Sequence, residues 1–398
     1  MASKPIQLEE ARARVLDHVT PLELERVRLA VALDRVLAEA ARAPIDVPGF
    51  ANSSMDGYAL RACDSAPGVR LRVVDESRAG APAGLPVGAG EACAISTGAA
   101  IPAGADAVVR VEDTRHDGDQ VELAVGVATG TNVRCAGEDV KAGAVVLEPG
   151  ARLGPAELGV LAALGCAELS VGRRPRVAVI TTGDELVPAG RPLPPGAVYD
   201  SGAVVMPALV TRSGGEVHSL AHVRDSPAAL EEVLAQALAA DVVVICGGMS
   251  VGVHDHVGSV LDTLGVERRF VGVALRPGRP TLFATRGRTL VFGLPGNPVS
   301  SFVTFLLFAR PALLALAGER PDVRRAHASL AEPIARESGR VHAVRCTLEL
   351  REDGWWASAT GSQGSHVLSS MLGAEALAMI PAGEGRCEVG ERVLIELI

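Results

Sequence analysis

Ser250 stands in the run Gly247-Gly248-Met249-Ser250-Val251-Gly252, directly after an apolar segment, and its spacing allows two chemistries. As Gly248-x-Ser250-x-Gly252 the run is a nucleophile elbow, in which Ser250 attacks an acyl carbon. As a glycine turn at a strand end it is a cradle whose backbone N–H groups converge on a phosphate. An elbow needs a partner acid, a later histidine and an oxyanion loop. His327, His342 and His366 follow, but all fall in a segment that reads as a separate β domain, and no His-Gly-Gly-Gly loop precedes the serine. The cradle needs only glycines that tolerate positive φ and close approach, aided by the positive end of the next helix. The residues favour the cradle, with Ser250 as one hydrogen-bond donor. It is not a nucleotide loop of known type, because neither G-x-x-x-x-G-K-[ST] nor G-x-G-x-x-G occurs.

Phosphate charge needs partners. Asp184, Glu185, Asp225 and Asp255 lie in neighbouring loops, and hard oxygens beside phosphates suit Mg²⁺. Each of them alone reads equally well as a helix cap. In Leu-Arg-Pro-Gly-Arg-Pro, Arg276 and Arg279 flank a Pro-Gly turn and can clamp a tetrahedral oxyanion through forked donors; the bland alternative is a solvated turn. His254-Asp255-His256 lacks the spacing of a zinc site. His218 and His222, on one face of an expected strand, read as structural. Polar loops at 50–61, 96–109 and 135–143 hold Asp56, Thr97 and Asp139, and each alone reads as a turn.

Something must bring these loops together. From residue 176, apolar segments at 176–182, 216–223, 241–248, 268–275 and 289–296 alternate with helical patterns near 200–213, 227–239, 256–264 and 298–318. That alternation predicts a doubly wound, mostly parallel α/β core. Ligands of such sheets bind beyond the carboxyl ends of the strands, where loops 181–186, 223–227, 247–255 and 293–300 fall. Upstream, helical patterns cover 8–19 and 22–42, the second placing Val27, Ala30, Leu33, Val36 and Leu37 on one face. Short β segments fill 69–147, a short helix covers 154–165, and β patterns return after Gly318. The expected architecture is multidomain α/β. An N-terminal helix (1–23) packs on an α/β core (173–319), beside a helical stalk (24–43 and 144–172), a β-rich insertion (44–143) and a C-terminal β-barrel-like domain (320–398).

Composition narrows the partners. The 398 residues carry a formal charge of −9 and only 3 % aromatics, which speaks against nucleic acid. Hydrophobic residues make up 48 %, yet no run approaches the ~20 apolar residues of a membrane span, so no membrane partner is expected. The first residues lack the apolar stretch of a secretory signal. Seven cysteines without a C-x-x-C pair read as reduced thiols, and the expected location is the cytoplasm.

Taken together the loops resemble the molybdopterin molybdenumtransferase (MoeA) family, which includes the C-terminal domain of gephyrin. The matching stretches are DVPGFANSSMDGYALR, ISTGAAIPAGADAVVRVED, AGEDVKAG, ITTGDEL, GGMSVGVHDHV, LRPGRP and GLPGNPVSSFVTF, in the family's order from 46 to 305, with GSQGSHVLSSM extending the likeness to about 371. The resemblance implies a homodimer of elongated four-domain subunits, whose cleft is shared between the α/β core of one copy and the β insertion of the other. It implies a reaction in which adenylylated molybdopterin receives molybdenum from molybdate at its dithiolene sulfurs and AMP is released with Mg²⁺ assistance. The molybdopterin adenylyltransferase is then a possible partner. By the same likeness, Asp56, Thr97, Asp139, Glu185, Asp225 and Asp255 are catalytic, and Glu185, Asp225 and Asp255 hold the metal. Thr182, Gly183, Asp184, Gly247, Gly248, Ser250, Gly252, Pro295, Gly296, Asn297 and Pro298 take phosphate and pterin. Arg276, Arg279, Pro280, Ser300, Arg340 and Ser365 take molybdate. The chain departs from the family in two places: its basic turn carries arginines in place of the usual lysines, and Gly258 stands where a lysine is common. Two other readings remain, the adenylyltransferase that shares the α/β core and a non-catalytic oxyanion- or molybdopterin-binding paralogue. Molybdate and tungstate, nearly equal in size and charge, are not distinguished by the sequence.

Overall fold

The computed structural model describes residues 4–249, 256–320 and 325–398. The chain forms two compact units, one from Met1–Arg26, Asp34–Ala38 and Ser170–Ile398, the other from Val27–Leu33 and Glu39–Leu169.

The first unit is built on a six-stranded sheet in the order Glu216–Val223, Arg176–Thr182, Val242–Cys246, Thr289–Leu294, Leu282–Arg286, Glu267–Val271. The first four strands are parallel, and of the last two only Leu282–Arg286 runs against the rest, the mostly parallel sheet that the alternation predicts. Every residue of Val242–Cys246 is buried, because helices cover both faces. Residues alternate between the two cores with the period of a strand. Val177, Val179, Val242 and Val244 face helices Leu8–Leu16, Gly202–Arg212 and the stretch after Pro298. Ala178, Ile180, Val243 and Ile245 face Pro227–Ala237 and Val257–Thr263.

The long C-terminal helix of this core is α-helical over Pro298–Thr304 and Arg310–Leu316, with a π-helical turn at Phe305–Ala309 between them. Pro311 follows that turn; it has no N–H to give to the carbonyl four residues back, which favours widening of the preceding turn. Residues 298–316 are apolar and long enough to cross a membrane by length and composition, so one such run does exist. Its Val299, Val303, Phe305, Phe308 and Leu313 are buried in the core.

Beyond the core, strands Val341–Arg351, Gly354–Ala359, Arg325–Leu330, Arg392–Leu397 and Ala376–Ile380 pair in sequence, and the last pairs back to the first. The sheet closes into the expected C-terminal barrel. Leu275–Arg276 pairs in parallel with Val341 and His342, the first residues of Val341–Arg351.

The second unit contains a six-stranded mixed sheet in the order Ala107–Arg110, Gly57–Leu60, Glu91–Ile95, Arg70–Ser77, Gln120–Leu123, Thr114–Asp117. It also holds the helix Pro155–Ala163.

The helix expected over 22–42 does not form. Leu24–Arg28 is a strand paired with Glu168–Gly172, followed by a short 3₁₀ turn at Leu29–Val31. Of the five residues placed on one helical face, only Val36 and Leu37 are buried, and Leu33 is 49 % exposed. Asp34 adopts φ 61°, a conformation no α-helix contains. Helical periodicity without a surface to bury it against lost to strand pairing with a distant segment.

Candidate functional site

Four parallel strands carry their carboxyl ends to one edge of the core sheet, and the loops that follow touch there. Thr181 and Thr182 close the strand Arg176–Thr182 and, being consecutive, point to opposite faces. Thr182 donates its hydroxyl proton to Asp225 Oδ1 at 2.6 Å, joining the loops after two adjacent strands. Thr181 donates to Asp200 Oδ2 at 2.6 Å, and Asp200 also accepts the N–H of Ala203 at 2.9 Å, in the first turn of helix Gly202–Arg212. Asp200 is buried and was not among the candidate residues; its one sequence signal is an acid and a serine just ahead of a helix.

The glycines meet the demands of a cradle. Gly247 has φ 103°, its N–H donates to Leu294 O at 3.1 Å, and a Cβ there would overlap Thr182 O. Gly248 has φ 63°, and a Cβ would stand 2.6 Å from Val257 Cγ2. A Cβ on Gly296 would be 3.5 Å from Gly247 Cα, which brings the loop Pro295-Gly296-Asn297-Pro298 against the glycine loop. Asp184 and Glu185 are exposed, and the Glu185 carboxylate folds back over Gly183, where a Cβ would come within 2.7 Å of its Oε2. Ser250, Gly252 and Asp255 lie outside the described residues.

Among the described residues no three His, Cys, Asp or Glu side chains gather closely enough to hold a metal ion. Two carboxylates do flank one strand end, Asp225 bonded to Thr182 and Glu185 lying over Gly183. Mg²⁺ commonly takes one or two carboxylates and completes its shell with water and substrate phosphate, so this donor pair fits it.

A second set of groups adjoins the first. Asn297 Nδ2 donates to Ser365 Oγ at 3.2 Å, and the N–H of Val299 donates to Ser365 O at 3.1 Å. A barrel loop is thereby docked onto the start of helix Pro298–Thr304. That loop is held by Arg345, a fully buried guanidinium that donates to the carbonyls of Ser362, Gln363 and Gly364 and to Ser370 Oγ. Burial, and then the charge of Arg276, lowers the Arg345 pKa to about 10, which leaves it charged at neutral pH. The Pro-Gly turn after Arg276 rests on the same helix: Gly278 has φ 118°, and a Cβ there would overlap Thr304 Cγ2.

Arg276 ion-pairs with Glu337, which also accepts from Arg340 Nη2 at 2.8 Å. The two arginines of the turn thus differ, Arg276 paired and half-buried, Arg279 exposed beside the exposed Pro280. Ser300 is buried one turn into the helix. Glu337, His342 and Arg345 were not foreseen, because charged residues in and around a β segment read as solvated until the barrel closes over them. At Gly258, a Cβ would lie 3.5 Å from Arg268 Nη1, so a guanidinium occupies space beside the glycine.

In the second unit, Asp56 Oδ1 accepts both the N–H of Thr97 at 2.6 Å and its hydroxyl at 3.0 Å. Those two bonds, the backbone one first, hold the Asp56 pKa below the usual carboxylate value. Gly57 is required next to it, since a Cβ would overlap Val109 O. Asp139 is placed by its own N–H, which donates to Val47 O at 3.0 Å, and its side chain is exposed.

Three family signatures cover almost the whole chain: the MoeA N-terminal region (domains I and II) over residues 6–165, a probable molybdopterin binding domain over 178–315, and the MoeA C-terminal region (domain IV) over 327–398. The molybdopterin molybdenumtransferase of Haemophilus influenzae is 36 % identical over 397 residues, 98 % of each chain. That of Bacillus subtilis is 35 % identical, covering 99 % of this chain and 94 % of its own. The crystal structure of the molybdopterin biosynthesis MoeA protein from Pyrococcus horikoshii superposes with a TM-score of 0.84 at 32 % identity, over 99 % of this chain and all of that one. With every core loop in the family's order and each part of the family's fold in place, the chain belongs to the MoeA family of molybdopterin molybdenumtransferases.

Proposed function

We propose that this chain is a molybdopterin molybdenumtransferase that inserts molybdenum from molybdate into adenylylated molybdopterin and releases AMP. The observation that carries the reading is that the glycine loop and the arginine turn both lie against one helix, Pro298–Thr304, the first beside the loop that opens it and the second beside Thr304 at its end. The glycine cradle meets the loop Pro295–Pro298, and the same helix receives Ser365 and the arginine turn. A phosphate ester and an oxyanion repel each other in solution. A site that holds both in fixed positions overcomes that repulsion and the entropy of encounter together.

In this reading Gly247 and Gly248 offer close backbone approach to the phosphates, with Ser250 as a hydroxyl donor. Arg276, Arg279 and Arg340, with Ser300 and Ser365, take the oxyanion. Mg²⁺, held by Glu185, Asp225 and Asp255, would neutralise charge on the phosphates as AMP departs. Thr182 orients Asp225 for that task. Asp56, fixed by Thr97, is a carboxylate that stays ionised. The active form is proposed to be a cytoplasmic homodimer, supplied by the adenylyltransferase that makes its substrate.

The test mixes purified protein with adenylylated molybdopterin, Mg²⁺ and either molybdate or tungstate, and follows AMP. Oxyanion-dependent AMP release is the expected result. Binding of both ligands without AMP release would leave a paralogue that only binds. Labelling of Ser250 by a serine-directed fluorophosphonate would return the hydrolase reading.

A further inference from the structure

His342 is 4 % exposed, and neither of its ring nitrogens has a hydrogen-bond partner among the described residues. Buried polar atoms without partners are uncommon in folded proteins, and each one calls for an explanation. Two unpaired nitrogens on one ring, inside a closed barrel, point to a ligand that supplies the missing partner.

Its position says which ligand. His342 follows Val341 at the start of the strand Val341–Arg351. Val341 and Ala343 turn toward the large core, while Val344 and Cys346 turn into the barrel. By alternation His342 faces the barrel side, at the end of the barrel where Arg276, Glu337 and Arg340 meet. Arg276 is its direct register partner on the neighbouring parallel strand. Its partner on the other side is Ile380, and Ala376–Ile380 brings no titratable group. Ile334–Ala335 brings none either. The charges that act on the ring are Arg276, Arg345 and Arg340, and among the described residues Glu337 is the carboxylate paired with Arg276 and Arg340. Three guanidiniums and one carboxylate leave two positive charges unmatched, which is the charge of a tetrahedral dianion reversed.

We propose that His342 is a further oxyanion-binding residue of this site, donating a ring N–H to the bound dianion and taking up a proton as the dianion enters. The inference rests on the reading of Arg276 and Arg340 as the molybdate site. Without an anion the ring is held neutral. Burial, then Arg276, Arg345 and Arg340, push its pKa down to about 4, and the Ala335 backbone opposes this without making a hydrogen bond of normal geometry. A bound dianion cancels that surplus positive charge and offers the ring N–H an acceptor, so protonation of the imidazole becomes easier than in the empty site. The proton comes from solvent and returns to it when the oxyanion leaves. Binding must then tighten as pH falls.

The experiment is calorimetric titration of the full chain with sodium molybdate at pH 6.5, in two buffers of different ionisation enthalpy. The wild type should take up several tenths of a proton per molybdate bound, on the order expected when one group crosses its pKa. His342→Leu should lose roughly tenfold or more in affinity, the scale of a charge-assisted hydrogen bond. His342→Gln keeps a donor, so it should bind within about threefold of wild type while the proton uptake disappears. Wild-type affinity in His342→Leu, or unchanged proton uptake in His342→Gln, overturns the proposal and leaves the molybdate site standing. If His342→Leu fails to fold, judged by its thermal melt, the glutamine variant decides alone. A wild-type chain that binds no molybdate overturns both readings.

Discussion

Thr182 and Asp225 are joined across two neighbouring strands by one hydroxyl-to-carboxylate hydrogen bond of 2.6 Å. The bond fixes one Asp225 oxygen on the protein; among the described residues no hydrogen bond holds the other. Thr182→Val keeps the shape and removes the donor. Because Asp225 is only partly buried, water replaces much of what is lost, and stability should fall by about 1 kcal/mol. The Mg²⁺ concentration that gives half-maximal AMP release should rise, about tenfold if the misplaced carboxylate costs about 1.4 kcal/mol of metal binding. Urea unfolding and Mg²⁺ titration of the activity read the two effects. An unchanged Mg²⁺ dependence would remove Asp225 from the metal set.

Gly278 holds the arginine turn against Thr304, and its φ of 118° suits glycine alone. Gly278→Ala should cost about 1–3 kcal/mol from backbone strain, with further loss where the new methyl meets Thr304 Cγ2. Oxyanion binding should weaken while nucleotide binding stays close to wild type. Adding Thr304→Ser removes the clashing methyl but keeps the hydroxyl that donates to Ser300 O, and should restore part of the stability. Equal stability in the single and double variants would show that strain, not the clash, dominates.

Glu337 competes with any incoming anion for Arg276 and Arg340. Glu337→Gln removes the negative charge and nearly preserves the volume. Molybdate affinity at low salt should rise about three- to tenfold, and the gain should shrink as salt screens the site. Calorimetry at two salt concentrations checks this. Weaker binding in the variant would mean that Glu337 positions the arginines more than it competes with the anion.

The pH dependence of stability separates two groups, the buried His342 and the half-buried Asp241. His342 has a pKa of about 4 in the folded chain, against about 6.5 when unfolded, so the unfolded state binds more protons between those values. Stability therefore falls as pH drops from about 6.5 toward 4. The loss is at most roughly 3.4 kcal/mol for a shift of that size, and His342→Leu should flatten it. Asp241 acts in the same sense but in a lower pH window. Burial pushes its pKa up, but Arg173 and the N–H of Arg176 outweigh burial and lower it. Its stabilisation is present above the unfolded carboxylate value and is lost as pH falls through the lower folded value. Urea unfolding at pH 7, 5 and 3.5, without oxyanion, resolves the two. A His342→Leu profile parallel to wild type between pH 7 and 5 would rule out the histidine term.

The sequence by itself determined the α/β core and the edge where its loops gather. Apolar runs such as Val242–Cys246 and the amphipathic helices between them carry their period locally, and a parallel sheet then sends all four loops one way. The glycine, TGDEL and RPGRP loops were legible for the same reason: their residue types state what the backbone must do at that place. Only the tertiary structure decided the rest. Residues 22–42 have a helical pattern, yet Leu24–Arg28 became a strand because Glu168–Gly172 offered it a partner that no local pattern reveals. Asp200, Glu337, His342 and Arg345 look like ordinary charged or polar residues in the sequence. Their roles follow from burial and pairing with segments far along the chain, as when strand register sets His342 beside Arg276 and barrel closure takes away its water. Charge is written in the sequence, but the solvent and the neighbours that determine what a charge can do are supplied by the fold.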